Sequence, residues 1–401
     1  MKTTAQILRD YRGPALFSFG FRPFFLVASI WSALSVPLWL LAYLGNGEAS
    51  AAIFTRDWHV HEMLFGYTAA VIVGYMTIAG ANWTGHYPVA GRPIIVLLAV
   101  WIAGRAAMLA YPILGLTAAV IDSAFLILFS LALWRELLAA TNSRVVAPTI
   151  VITLLAIANI AFHARTIIPA VGPVSERMTI GLITFLIALM GGRLVPSFTR
   201  NWMAQRKITP QPAPYGRFDV TVLGTTAAGI TSWIAVPDSR VSGALLTIAG
   251  LGLLIRLLRW RGWIAARDGM VLILHLAYFW CALGVALLGA SVLFPAEIPA
   301  TAAIHALTSG AIGVMTLAMM TRTTLSHTGR ERNADRATLL IYLLANLAAL
   351  TRTLAPFVAS LYAELLLLSA ICWSLAFGLF ALTYGPMLSK AWHGRSRNRS
   401  A

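Results

Sequence analysis

Apolar residues run along this chain in long stretches separated by short polar gaps. Many of the stretches reach about 20 residues, the length an α-helix needs to cross roughly 30 Å of hydrocarbon at 1.5 Å per residue. In the first half they predict helices over Pro23–Leu44, Val60–Ala81, Pro93–Tyr111, Leu116–Leu138, Val146–Ile168 and Met178–Phe198. The second half adds Val220–Val236, Val241–Leu258, Met270–Phe294, Ala300–Thr321, Thr338–Phe357 and Leu361–Tyr384. No internal repeat stands out between the halves. The expected architecture is all-α: one transmembrane domain over residues 1–401, crossing the bilayer twelve times.

The charges in the gaps test that count independently. Basic residues collect at the ends and in every second loop: Lys2/Arg9/Arg12/Arg22, Arg92, Arg135/Arg144, Arg200/Arg206/Lys207/Arg217, Arg256/Arg259/Arg261/Arg267, Arg322/Arg330/Arg332/Arg336 and Lys390/Arg395/Arg397/Arg399. The intervening loops hold only Glu48, Arg56 and Asp57, then Arg165, Glu176 and Arg177, then Asp238 and Arg240, and finally Glu297. The positive-inside rule then predicts twelve spans with both termini in the cytoplasm.

Composition narrows the function classes. Apolar residues make up 59% and charged residues 11%, against roughly 25% charged in a soluble chain. The net charge of +16 therefore reads as membrane topology, not as a nucleic-acid surface. The longest polar gap, Arg200 to Arg217, holds no soluble domain. None of the lysines Lys2, Lys207 and Lys390 follows a glycine, so no phosphate-binding loop exists to drive an ATP-fuelled pump. Met1 to Gly20 mixes polar and aromatic residues and does not read as a cleaved signal peptide. The two cysteines, Cys281 and Cys372, lie in apolar runs and read as inert buried thiols. They supply neither the four thiolates of an iron–sulfur cluster nor a Cys-x-x-Cys-His attachment, so any haem would be held non-covalently by histidine or methionine.

The histidines sort by depth. His59 and His61 open the second span at its outer end, His163 lies near the outer end of the fifth, and His305 is just inside the outer end of the tenth. His275 lies near the inner end of the ninth span, His86 and His327 in inner loops, and His393 in the basic tail. A lone histidine on an apolar helix is usually a hydrogen-bonded core residue, but four at one depth on three helices point to function. Neutral imidazole suits copper, iron and zinc. His59, His61 and His305 are expected to act as ligands at one outer site. On a helix His59 and His61 point about 200° apart, whereas in an extended turn they face the same way. His59 and Met63 share a helical face, which makes Met63 an additional candidate ligand, and Asn159 is placed to orient His163.

Buried charge forms a second pattern. Arg105 and Asp122 sit at similar outer depth in consecutive spans, and so do Arg352 and Glu364. Each reads either as an ion pair or as an arginine that receives a cofactor carboxylate; the ion pair is favoured for Arg352 and Glu364. Arg193, following Met190-Gly191-Gly192, has no acidic neighbour and is the better candidate to contact an anion.

Particular strings carry a family resemblance. Trp58-His59-Val60-His61-Glu62-Met63-Leu64-Phe65-Gly66, preceded by Phe21-Arg22-Pro23-Phe24-Phe25, resembles the NnrS family. So do Asn82-Trp83-Thr84-Gly85, Gly191-Gly192-Arg193 through Phe198-Thr199-Arg200-Asn201-Trp202, and the stretch from His305 through Met320-Thr321-Arg322 to His327-Thr328-Gly329-Arg330. The resemblance implies a bacterial inner-membrane protein of the nitric oxide response that contains haem b and copper, with nitric oxide as its small-molecule ligand. His59, His61, His305 and His327 lie in the matching strings, with His275 and His163 in weaker ones; these six are the implied haem and metal ligands. His86 follows a matching string but is not counted. An electron donor goes unnamed, and nitric oxide reduction is one activity the metals would allow. Two other classes fit the architecture: a secondary transporter using Arg193 or the ion pairs, and a haem- or copper-binding sensor or assembly factor without catalysis.

Overall fold

The computed structural model describes residues 11–45, 52–84, 90–139 and 146–391. His86 and His393 lie outside these residues, as do Glu48, Arg144 and the terminal basic residues Lys2, Arg9, Arg395, Arg397 and Arg399. The described chain is helical, with no strand among the described residues. Long helices overlap each of the expected spans: α1 (Phe21–Leu44), α2 (residues 56–84), α3 (Arg92–Leu109), α4 (Leu116–Ala139), α5 (Val146–Ala164) and α6 (Val171–Gln205). They continue as α7 (Arg217–Ala235), α8 (Arg240–Leu258), α9 (Gly269–Leu293), α10 (Ala300–His327), α11 (Arg336–Leu354) and α12 (Tyr362–Ser389). Among the described residues, ten helices are long and apolar enough to cross a membrane. α2, which buries Glu62, and the threonine-rich α7 fall outside that group.

Only helices suit an apolar solvent here, because each pairs its backbone groups within one segment. Hydroxyl side chains follow the same logic: Thr199, Thr226 and Thr324 each donate to a carbonyl four residues back, at 2.7–2.9 Å. The outer surface is apolar, with Leu41, Val120, Leu138 and Leu382 exposed, as expected where lipid replaces water. α9 and α10 are the most enclosed helices. α8 packs on α9 at backbone contact: a Cβ on Gly250 would lie 2.4 Å from the Ala286 nitrogen, so small residues set that approach. α12 returns against α1. There Arg22 Nη1 donates to the carbonyl of Leu388 at 2.9 Å, meeting unpaired carbonyls at the end of α12. The described ends of the chain thus meet at one end of the bundle.

Three helices change pitch within the span. α2 runs as α-helix over Arg56–His61, as π-helix over Glu62–Thr68, and as α-helix again over Ala69–Thr84. α6 has a π segment at Ile187–Gly191, and α10 has one at Ala306–Val314, directly after His305. Such segments are concentrated at functional sites.

Candidate metal and cofactor sites

The local structure of α2 decides where its histidines go. Thr55 caps the helix, accepting from the Trp58 amide at 3.1 Å, so His59 and His61 lie on a true helical turn and face opposite ways. This corrects the expectation of one site holding His59, His61 and His305. His61 is fully buried against α4 and α5, while His59 stacks on Trp39 of α1, ring centroids 4.2 Å apart.

Around His61 five helices contribute a closed polar network. His61 Nδ1 meets Glu62 Oε1 at 2.9 Å, and His61 Nε2 meets Asp122 Oδ2 at 3.0 Å. Carboxylates accept, so for both contacts to be hydrogen bonds each ring nitrogen must donate and the ring must be a cation. Glu62 Oε2 accepts from Trp31 Nε1 at 2.6 Å and from Arg105 Nη1 at 2.7 Å. Arg105 Nη2 donates to Asp122 Oδ1. Asp122 Oδ2 also receives Asn159 Nδ2 and His163 Nε2, each at 3.0 Å. The Arg105–Asp122 pair is therefore present, with Glu62 as a second carboxylate on the same guanidinium. His61, Asp122 and His163 offer ligand atoms that all lie within 4.8 Å of one another. A side pocket of about 220 Å³, walled in part by His163, Tyr111, Met108 and Asp57, lies beside this group.

The opposite face of α2 lines a cavity of about 730 Å³, within the range of small-molecule and cofactor sites. His59, Met63, His305 and Arg352 share its walls with Trp39, Tyr67 and Trp373. His305 donates from Nδ1 to the Thr301 carbonyl at 2.8 Å, which leaves Nε2 as the bare nitrogen. This is the hydrogen-bond arrangement that orients metal-binding histidines. His59 Nδ1 is buried without a partner, as is Arg352 Nη1. Arg352 has the hydroxyls of Tyr362 and Tyr43 as its polar neighbours and forms no ion pair with Glu364, which is exposed in the first turn of α12. The Arg352–Glu364 pairing expected from depth is thus overturned: equal depth does not set equal azimuth. At the rim of the cavity Arg56 grips Glu176 with two bonds, 2.9 and 2.7 Å, tying α2 to α6. Tyr67, which lines the cavity, donates to Thr316, itself bonded to the Gly313 carbonyl, so the π segment of α2 is tied to α10 just past its own π segment.

The remaining candidates lie apart. His275 Nε2 meets Thr199 Oγ1 at 2.8 Å near the N-terminal end of α9, and His327 is exposed beside Phe19 and Phe21. Arg193 is exposed on α6 and lines neither cavity. The arginine that is enclosed at this level is Arg256, counted from sequence as a loop charge. It is fully buried within α8, with Nε on Asp219 at 2.6 Å and Nη1 on the Ala188 carbonyl at 2.9 Å and the Tyr278 hydroxyl at 3.0 Å. Ala188 belongs to the π segment of α6. Gly192 makes the room: a Cβ there would lie 2.3 Å from Arg256 Nη1. Glu62, inside a recognised string but not singled out, is the other member that sequence reading missed. Its signal was an acidic residue inside an apolar run.

A comparison with curated proteins returns no match. The family described as NnrS protein matches residues 15–391, nearly the whole chain. Together with its membrane-capable helices, that match places the chain in the NnrS family, a membrane protein of the nitric oxide response.

Proposed function

We propose that this protein holds non-covalent haem b in the outer-half cavity and that nitric oxide is captured there. The observation that carries the reading is His305: its Nδ1 proton is committed to Thr301, so its free nitrogen belongs to a ring that lines the cavity. The residues fit the cofactor in three respects. His305 and His59 supply imidazoles on different helices, the cavity has cofactor dimensions, and Arg352 brings a buried guanidinium nitrogen without a partner that suits a propionate. When bound, haem supplies an iron centre that takes up a small neutral diatomic. The chain's own part is to orient His305, to exclude water with Trp39, Trp373 and the aliphatic wall, and to hold the acidic groups of the cofactor at Arg352. Nitric oxide partitions into lipid, so no polar channel is needed. Copper belongs to the same proposal, since imidazole donors suit it. The electron donor, if turnover follows capture, is a separate partner.

The proposed topology is twelve crossings in a bacterial inner membrane with both termini cytoplasmic. The alternation of loop charge supports it, and so does the contact of Arg22 with the end of α12, which an even number of crossings requires.

The test is an absorption spectrum of the purified full chain, followed by acid–acetone extraction. A Soret band that shifts on adding nitric oxide, with haem extracted free of polypeptide, is expected; His305→Ala should lose the band while remaining folded. A colourless wild type would overturn the reading in favour of a transporter, and haem that stays on the chain would overturn its non-covalent attachment.

A further inference from the structure

We propose that His61, Asp122 and His163 form a copper site, buried between α2, α4 and α5 and separate from the cavity. The assignment deepens the copper part of the proposed function and is independent of where haem lies.

Geometry supports it first. Two ligands on one ion at about 2.0–2.1 Å lie roughly 2.9–3.4 Å apart, depending on the angle between them. Both imidazole nitrogens stand 3.0 Å from Asp122 Oδ2. Each imidazole nitrogen is thus spaced from the carboxylate oxygen as two ligands of one ion are, and the three ligand atoms lie within 4.8 Å of one another.

Hydrogen-bond capacity supports it again. A carboxylate oxygen has about two lone-pair directions, yet three N–H groups converge on Asp122 Oδ2: His61, His163 and Asn159. Oδ1 is committed to Arg105. A metal ion among the three ligand atoms relieves this crowding, because the two imidazoles then present bare nitrogens to the ion and only Asn159 still donates.

Charge selects the ion. Glu62 and Asp122 carry two negative charges and Arg105 one positive, so with neutral imidazoles the buried group holds one uncompensated negative charge. One added positive charge makes it neutral: a second proton on His61 or a monovalent metal in its place. A divalent ion would leave a net positive charge deep in apolar surroundings, which is costly. Copper is the one among the metals that imidazole suits whose common reduced state, Cu(I), is monovalent. Replacing the proton at His61 Nε2 by Cu(I) releases one proton and leaves the charge of the group unchanged. His163 stands both in this group and in the wall of the side pocket, so that pocket reaches one of the three ligands.

The experiment titrates full-length protein in detergent with Cu(I) under anaerobic conditions against bathocuproine disulfonate, alongside Zn²⁺ and the haem spectrum. One Cu(I) per chain is expected at this site, with Zn²⁺ bound more weakly, and X-ray absorption should show nitrogen and oxygen neighbours without sulfur. Asn159→Leu, which removes the hydrogen bond orienting Asp122, should weaken Cu(I) roughly 10–100-fold. His163→Gln, which can still donate to Asp122, should weaken it further, and both variants should keep a wild-type Soret band. Copper retained in His163→Gln but lost in His59→Ala or Met63→Leu would overturn the site and leave the copper reading standing. No copper in folded wild type would sink both. Zn²⁺ binding tighter than Cu(I) would overturn the charge argument and with it the assignment to copper.

Discussion

Arg105 and Arg352 are both intramembrane arginines, and the structure predicts opposite consequences for removing them. Arg105→Met keeps the length of the stem and deletes a guanidinium that is 5% exposed and bonds both Glu62 and Asp122. What remains is two carboxylates and the cationic His61, a net negative charge enclosed by protein. Breaking a buried pair from one side costs about 3–5 kcal/mol, because the other side is left uncompensated. Here one cation serves two carboxylates, so the upper part of that range is expected. Against a total stability of roughly 5–15 kcal/mol, this is a large fraction. Adding Glu62→Gln and Asp122→Asn to Arg105→Met removes the charges together and should recover most of the loss. The assay is reversible unfolding in mixed micelles with increasing dodecyl sulfate, followed by tryptophan fluorescence. Arg105→Met within about 1 kcal/mol of wild type, the typical worth of an exposed pair, would refute the reasoning. So would a triple variant less stable than the single one.

Arg352→Met should unfold within about 1 kcal/mol of wild type, since the side chain carries an unpartnered nitrogen and no ion pair; the same protein should hold haem less tightly, read by its transfer to apomyoglobin. Glu364→Gln, at an exposed position, should change neither stability nor haem content, within about 0.5 kcal/mol. Gly192→Ala drives a methyl into Arg256 and should cost about 1–3 kcal/mol by overpacking, measured in the same unfolding assay, and a wild-type midpoint would show that Arg256 can move aside.

The helices and most of the residues that gather at the two candidate sites were legible in the sequence because each depends on a short stretch of chain. A segment in lipid has to pair its own backbone, so about 20 apolar residues announce a helix wherever their neighbours lie. Depth is equally local: position along a span put His59, His61, His163, His305, Arg105 and Asp122 toward the same end of the bundle before any contact was known. Direction around the helix axis is different. It depends on whether the chain at Thr55–His61 is helix or extended turn, and on π segments, each of which inserts a residue and rotates the rest of its helix by about 100°. Sequence could state both outcomes for His59 and His61 without choosing between them. Packing chose, sending His61 to Asp122 and His163, sixty and more residues away, and His59 to Trp39 and the cavity. The same freedom explains the other two departures. Arg352 and Glu364 share a depth but not a facing direction, and Arg256, which looked like a loop charge at the end of an apolar run, is drawn inside because Asp219, the freed Ala188 carbonyl and the bare face of Gly192 are brought around it by helices distant in sequence.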